Sequence, residues 1–583
     1  MKRKSMKKLS LFAFAFAAAL MMTGCSDEDG AIAETGTSTS SSGEGYMSVA
    51  INLPSTTSTR ASVDGYDDGT EDEYTVKNAT LYIFGGDDEA TATLQATYTL
   101  GTGFELESDK GQITSNLTAL IETTAMSGAY YYPIVILNAN GQMPTLTIGS
   151  SKISDLNATA YSTTAAKMIA NGFFMSNSPY SSVAGGTTSV TSEPTITTCP
   201  SFDESKIFKT ADEAKANPAA TIYVERAVAK VTVTEGNSIS VDNDKLASIK
   251  IDGWLLDNTN NYTYLVRNVD CDPSWWTYKS TKTGAEFRFI DGAAFETGVS
   301  AYRTHFGIDP NYDVAYDASN FTQDVTNTST YGDLGSSNPQ YCLENTFDVD
   351  HMTEQNTTRV VLKTTLTLDG ESAAKDFYTI NNNSEIYDED KVKEYVANLA
   401  QAWIADNIDT YVKSGSILGT DITVTLNSPD NGGTATITAI TVSGKNVTEW
   451  QDSQNLEALQ TDVTALISGY NTNYTISYYK DGVAYYSVLV KHFGDSDTPW
   501  DESEMVGSDA YAAPSGTTAE NQWLGRYGML RNTWYSIEVT GVKNLGSASV
   551  PDVTTDWDDN ADEYIAVEIN VLPWALRTQS VTL

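Results

Sequence analysis

The chain has 583 residues, with 35 Lys and Arg against 76 Asp and Glu, a formal charge of −41. That length allows about two to four domains with real cores, and the charge excludes nucleic acid and anionic bilayers as partners, because phosphates would repel it. Four cysteines, Cys25, Cys199, Cys271 and Cys342, show no zinc-finger spacing and are too few for a disulfide scaffold.

Residues 1–24 read as a secretion signal. Lys2, Arg3, Lys4, Lys7 and Lys8 form its basic start, and Leu9 to Met22 its apolar run, too short for a comfortable membrane span. Met22-Thr23-Gly24-Cys25 has the form of a lipobox, whose cysteine is acylated and becomes the new N-terminus. A plain signal peptide with a coincidental cysteine is the alternative. Ser26-Asp27-Glu28-Asp29 follows at once, and residues 30–45 are a flexible tether of Ser, Thr, Gly and Ala. Buried free thiols are expected at the three later cysteines.

Met47, Val49, Ile51 and Leu53 then alternate with Ser48, Ala50 and Asn52, the period of a half-buried strand that Pro54 ends. A polar run leads to Arg60-Ala61, and Arg60 is the only Lys or Arg between Lys8 and Lys77. The strand is therefore open to being cut from its own domain. Near the other end Ile565, Val567, Ile569 and Val571 alternate with Ala566, Glu568 and Asn570, and Pro573 closes the run. The two segments read as strands written for one kind of groove. The plainer alternative is two ordinary edge strands.

Asp64-Gly65-Tyr66-Asp67-Asp68-Gly69 looks at first like a calcium loop. With Gly69 as the turn glycine, however, the third position is Tyr66 and the twelfth Thr75, so the ligand pattern fails and a solvated acidic linker is expected. From Val76 onward the chain reads as β-structure, with strands at 79–84 and 130–137, a short helix or two in 152–170, and a long loop at 183–200. A domain boundary is expected between 200 and 222. The run 221–233 opens a second β-rich region, with further strands at 248–255, 358–367, 421–426, 434–443, 474–479, 484–491, 534–541 and 565–571. Two helices interrupt it, at 388–412 (Val392, Val396, Leu399, Trp403, Ile404) and 449–468 (Leu456, Leu459, Val463, Leu466), both stripes expected to be core contacts.

No catalytic constellation stands out. His305, His351 and His492 are far apart in sequence, and no Gly-x-Ser-x-Gly elbow, phosphate loop or His-x-x-x-His pair is present. Carboxylate pairs are uninformative in so acidic a chain. Trp275-Trp276, Trp523 and Trp534 are candidate sugar platforms, although aromatics in β-proteins are more often core. No cofactor, no metal and no enzymatic activity are expected.

Several segments together resemble the fimbrillins, shaft subunits of type V pili in Bacteroidales, most of all the short-fimbrium (Mfa-type) branch. They are the lipobox at Cys25 with its acidic sequel, Ile51-Asn52-Leu53-Pro54 leading to Arg60-Ala61, and Val224-Glu225-Arg226-Ala227-Val228-Ala229-Lys230-Val231. Gly253-Trp254-Leu255-Leu256-Asp257-Asn258, Tyr341-Cys342-Leu343-Glu344-Asn345, Leu524 to Tyr535 and Ile569 to Leu576 continue the match in order. The acidic stretch 64–73 has no clear counterpart.

The resemblance implies a mainly β fold of two transthyretin-like Greek-key β-sandwich domains with short helical insertions. It implies a signal peptide at 1–24, a lipidated propeptide with a removable strand at 25–60, domains at 61–215 and 216–563, and a donor strand at 564–583. Cys25 would be the lipid site and Arg60-Ala61 the bond cut by an arginine-specific protease. Met47, Val49, Ile51 and Leu53 would line the removed strand, and Ile565, Val567, Ile569 and Val571 the donor. The implied partners are identical subunits in a head-to-tail filament, anchor and tip subunits of the pilus, that protease, and a host or bacterial surface receptor. A glycan-binding surface lipoprotein and a tip or accessory subunit are the alternatives.

Overall fold

The computed structural model describes residues 45–52, 69–100, 105–107, 116–123, 128–139, 143–158, 160–185, 195–269, 279–280, 284–285, 289–294, 298–348, 351–383, 385–492, 525, 527–556 and 565–573. Residues 1–24, Cys25, Leu53, Arg60, Ala61, Cys271, Trp275, Trp276, Trp523 and 574–583 lie outside the described residues.

The N-terminal part is built from β1 (Gly45–Asn52), β2 (Ala79–Gly86), β3 (Thr93–Leu100), β4 (Glu105–Glu107), β5 (Asn116–Thr123), β6 (Tyr130–Leu137), β7 (Met175–Asn177) and β8 (Ala220–Arg226). They form one mixed sheet in the order β3-β2-β6-β7-β8-β1-β5-β4. Both faces carry a core. Leu81, Ile83, Val135 and Leu137 belong to one apolar cluster, whereas their neighbours Tyr82, Phe84, Ile134 and Ile136 belong to another. Burial on two sides explains why Ile134 to Leu137 is continuously apolar where a half-buried strand would alternate. The first cluster also contains Met47, Val49 and Ile51 of β1, several places away from β2 in the sheet order. The sheet therefore curls over its own inner face, as the two layers of a sandwich do. A short helix, α1 (Ala211–Ala216), covers part of the outer face of β1.

The remaining strands are β9 (Val228–Val241), β10 (Leu246–Asp257), β11 (Gln340–Leu343), β12 (Arg359–Leu368), β13 (Phe377–Ile380), β14 (Ile422–Asn427), β15 (Gly433–Val442), β16 (Ile476–Tyr479), β17 (Val483–Leu489), β18 (Thr533–Val542) and β19 (Ile565–Pro573). Sheet β11-β9-β18-β19 faces sheet β10-β12-β17. Val231, Val233, Ile537 and Val539 from the first share one core with Trp254, Leu362 and Val488 from the second. This is a β-sandwich, and β9 and β18 run parallel at its centre, from Lys230↔Trp534 to Val241↔Val542. Inserted into it is a second layer pair, the sheet β13-β16-β15-β14 under α2 (Glu389–Tyr411) and α3 (Asn455–Asn473). Asp388 caps α2 by accepting from the Lys391 amide at 2.8 Å, and Val392, Val396, Ala400 and Ile404 bury one stripe of it. Stacked pairs Phe377/Tyr479 and Tyr378/Tyr478, at 4.3 and 4.8 Å between ring centres, sit across the β13–β16 ladder.

The mainly β expectation holds, and most strands fall where the sequence put them. Three details differ. The run 221–233 is not one strand: it breaks at Ala227, so that β8 completes the first sheet while β9 starts the second. β8, which lies after the expected division between 215 and 216, pairs with the N-terminal strands, and the apolar run on both sides of Ala227 hides the crossing. Leu456, expected in the core, is 38% exposed at the start of α3. Finally, His305 and His492 are brought together, ring centres 5.8 Å apart. Cys199 and Cys342 are free and buried, as expected.

Among the described residues Trp254 is the largest fully buried side chain, and its Nε1 donates to the Asp333 carbonyl at 3.1 Å. Trp254→Ala should cost about 3–5 kcal/mol through the cavity it leaves, read from urea unfolding of the monomer.

Candidate functional site

The removable-strand candidate β1 lies inside the sheet. On one side it pairs antiparallel with β5, from Gly45↔Thr123 to Asn52↔Asn116. On the other it pairs parallel with β8, from Val49↔Ala220 to Asn52↔Tyr223. Met47, Val49 and Ile51 are each 0% exposed, packed with Leu81, Ile83, Ile222 and Val224. The opposite face is closed too. Ser48 is buried, its hydroxyl donating to the Ala214 carbonyl at 2.5 Å and its carbonyl accepting from the Ala219 amide at 2.7 Å. Tyr46 and Phe208 exchange backbone bonds of 2.7 Å. Alternation alone suggested a strand wet on one face; α1 and the segment before it cover that face instead.

The second candidate strand sits elsewhere. β19 is the edge of the C-terminal sheet and pairs antiparallel with β18, placing Ile565, Val567, Ile569 and Val571 opposite Val542, Val539, Ile537 and Tyr535. Those four partners are buried. The chain thus keeps β19 paired with β18 along its own length.

Between the two strands lies a feature that sequence reasoning missed. At the end of β8, Glu225 meets Arg267 at 2.9 Å; Arg267 approaches Glu344 at 3.8 Å, and Glu344 pairs with Arg531 at 2.9 Å. Arg267 and Arg303 both donate to the Arg531 carbonyl, at 3.0 and 3.2 Å. Arg226 donates through Nη1 to Asn532 Oδ1 at 3.2 Å and through Nε to the Glu73 carbonyl at 2.7 Å. Glu73 in turn pairs with Lys230 at 2.8 Å and accepts from the Tyr341 hydroxyl at 2.7 Å. All these charged side chains are buried.

Burial pushes the Glu225 carboxyl up, against the pull of Arg267, Arg531 and Arg303. Burial also works against Glu73, but the hydrogen bond and charge of Lys230 hold its carboxyl below the ordinary range. The cluster draws on segments that carried the family resemblance, 224–231, 341–345 and 524–535, with Glu73, Arg267 and Arg303 added. The available signal was a set of single arginines and glutamates inside apolar runs, such as Leu265-Val266-Arg267 and Leu343-Glu344, in a chain poor in cations.

The paired histidines have structural partners. His305 Nδ1 lies 3.2 Å from Asp291 Oδ1, and His492 Nδ1 lies 2.9 Å from the Tyr535 hydroxyl, which accepts from the Leu530 amide at 2.9 Å. Trp534 is no open platform: its Nε1 donates to Thr232 Oγ1 at 2.8 Å and its ring carries the Lys230 ammonium at 4.5 Å. Among the described residues no group of three or more His, Cys, Asp and Glu is placed to hold a metal.

Residues 477–580 match the family described as "Major fimbrial subunit protein type IV, Fimbrillin, C-terminal". That stretch contains β17, β18, β19 and the Arg531 end of the charge cluster. The C-terminal part of the chain is thus similar to fimbrillins. A comparison with curated proteins finds no match. Among solved structures it is similar to a proposed cell adhesion protein of Parabacteroides distasonis ATCC 8503, 11% identical over 91% of this chain and 98% of that one, with a TM-score of 0.36. A proposed cell adhesion protein of Bacteroides eggerthii DSM 20697 is 13% identical over 91% and 96%, with a TM-score of 0.34. A fimbrial assembly protein of P. distasonis is 11% identical over 56% and 99%, with a TM-score of 0.23.

Removing one member of a buried ion pair strands the other. Arg531→Met leaves the Glu344 carboxylate short of its closest partner and should destabilise the chain by about 3–5 kcal/mol, measured by urea denaturation. Asp309 offers a pH test. It is buried, accepts from the Asn311 and Thr346 amides at 2.6 and 2.5 Å, and burial pushes its pKa up to about 8. A carboxyl raised in the folded state stabilises fully below its ordinary pKa of about 4 and loses that contribution as pH rises through about 8. The urea midpoint of the wild type should therefore fall more steeply between those pH values than that of Asp309→Asn.

Proposed function

We propose that the chain is the shaft subunit of a cell-surface fimbria, exported as a lipoprotein through Cys25, cut at Arg60-Ala61, and polymerised by donor-strand exchange. The fimbrillin match over residues 477–580 supports the fimbrial role and a cell-surface place. The observation that carries the mechanism is the position of β1, central in its sheet and yet joined to the body only through residues 53–68.

The energetics fit release after cleavage. Burying Met47, Val49 and Ile51 is worth gross about 5–9 kcal/mol at ~1.5–3 each. Ordering the eight residues of β1 costs about 1–2 kcal/mol apiece, or roughly 8–16. The two sums are comparable, so the ladder bonds and the tether decide occupancy. A tethered strand meets its groove at millimolar effective concentration; a cut strand is diluted away. The vacated groove then takes the 565–583 segment of a neighbour, with Ile565, Val567, Ile569 and Val571 in place of Met47, Val49, Ile51 and Leu53. A head-to-tail contact that does not close gives a filament.

Arg60→Ala removes the only basic residue between Lys8 and Lys77. It should accumulate as an uncleaved monomer, while brief trypsin treatment turns the wild-type precursor into ladders on unheated denaturing gels. Protein sheared from wild-type cells should begin at Ala61 on N-terminal sequencing. Filaments formed by uncleaved Arg60→Ala chains would sink strand release.

A further inference from the structure

In a filament of this kind every subunit is pulled at two places: at its groove, by the strand it holds, and at its C-terminal strand, by the neighbour that holds it. This inference rests on the shaft reading above. The groove wall is β8, and one buried residue, Ala227, separates it from β9. At the other end, once β19 has been drawn out onto a neighbour, tension enters β18 at Val542. β9 and β18 are parallel partners, Lys230↔Trp534 through Glu235↔Val539 and, past a bulge, Ser240↔Gly541 and Val241↔Val542. β9 is thus loaded at its first residues and β18 at its last. Parallel strands pulled from opposite ends slide past each other, so the ladder bonds between them carry load together instead of opening one after another.

We infer that the β9–β18 ladder is the load-bearing clamp of the subunit, and that the buried charge cluster locks its groove-side end. The Asn532 amide donates to the Val228 carbonyl at 2.8 Å, and Asn532 Oδ1 accepts from Arg226 Nη1 at 3.2 Å. Arg303 Nη2 donates to the Arg531 and Asn532 carbonyls, each at 3.2 Å. Arg267 joins Glu225 at 2.9 Å to the Arg531 carbonyl at 3.0 Å. The last residues of the groove wall and the first of the donor-bearing strand are therefore fastened to each other directly. Lys230 over the Trp534 ring and the Trp534–Thr232 bond continue the fastening along the ladder. Forced opening is governed by the rate of this rupture and not by equilibrium stability, so a clamp in this place serves a filament more than extra core would.

The test pulls the uncleaved monomer in an optical trap, between handles on cysteines at two exposed positions, with Cys25 and Cys271 replaced by Ser. Lys215→Cys with Lys543→Cys loads the ladder in sliding geometry; Asp244→Cys with Lys543→Cys loads the same ladder from one end. The first pair should need several-fold more force at the same loading rate. Asn532→Gly keeps the positive φ of that position (56°) but removes the acceptor for Arg226. It should lower the sliding force and leave the one-end force unchanged. Equal forces in the two geometries, or a sliding force that Asn532→Gly does not lower, overturns the clamp. Because no polymer is involved, that result is separate from any failure of strand exchange, which Arg60→Ala reports.

Discussion

Among the described residues β5 has two neighbours, the three-residue β4 outside it and β1 inside. Whatever occupies the β1 position therefore joins that edge of the sheet to β8 and the body. Its backbone satisfies the row of amides and carbonyls on β5 and, from Val49 to Asn52, the row on β8. Its side chains fill the inner core. Vacating the position would leave about 1–3 kcal/mol of unmet demand for each buried polar group and an open apolar slot. An empty groove would thus be a reactive state that a strand of suitable alternation relieves, and on the proposed mechanism the resident strand acts as its stopper.

The buried charge cluster answers a different problem. Of the 35 Lys and Arg in the chain, Arg226, Lys230, Arg267, Arg303, Arg359, Lys491 and Arg531 are buried. Ion pairs of this kind seldom gain much net stability over a well-packed apolar core, because desolvating both charges offsets their attraction. What these supply is fixed geometry. Arg267 and Arg303 reach the carbonyls that lead into β18, and Arg226 at the end of β8 reaches the Asn532 side chain, so the crossing at Ala227 cannot swivel without breaking these bonds. Glu73, held by Lys230, Tyr341 and Arg226, fastens the chain soon after residues 53–68 into the same knot. Loss of β1 would leave that knot intact.

Much of this was legible in the sequence. Two-residue alternation located the strands, and i, i+4 stripes located α2 and α3, because one buried face leaves a periodic trace. The N-terminal strand was legible for the same reason, although the burial of Ser48 was not: its cover, α1, lies more than 160 residues away. The crossing at Ala227 was hidden by apolar residues on both sides, since the end of one buried strand and the start of another look like one strand. The charge cluster was hidden because its members converge only through tertiary contacts, Arg531 reaching Glu344 across 187 positions. His305 and His492 were read as unrelated on the same ground.

Net charge bears on how copies of this chain meet. Acids outnumber cations heavily, and because seven cations and six acids are buried among the described residues, burial leaves that excess on the surface. Two such chains repel at long range, and charge steering gives them no help in finding each other. At physiological salt the repulsion is screened beyond about 8 Å, whereas strand pairing acts at about 4.8 Å between backbones and in pockets shielded from solvent. Association through a supplied strand, as proposed above, would therefore be insensitive to the surface charge that keeps unassembled copies apart. In the proposed filament an acidic coat and an inserted strand would be complementary devices: the first would suppress lateral contact between subunits, and the second would leave one strong end-to-end contact.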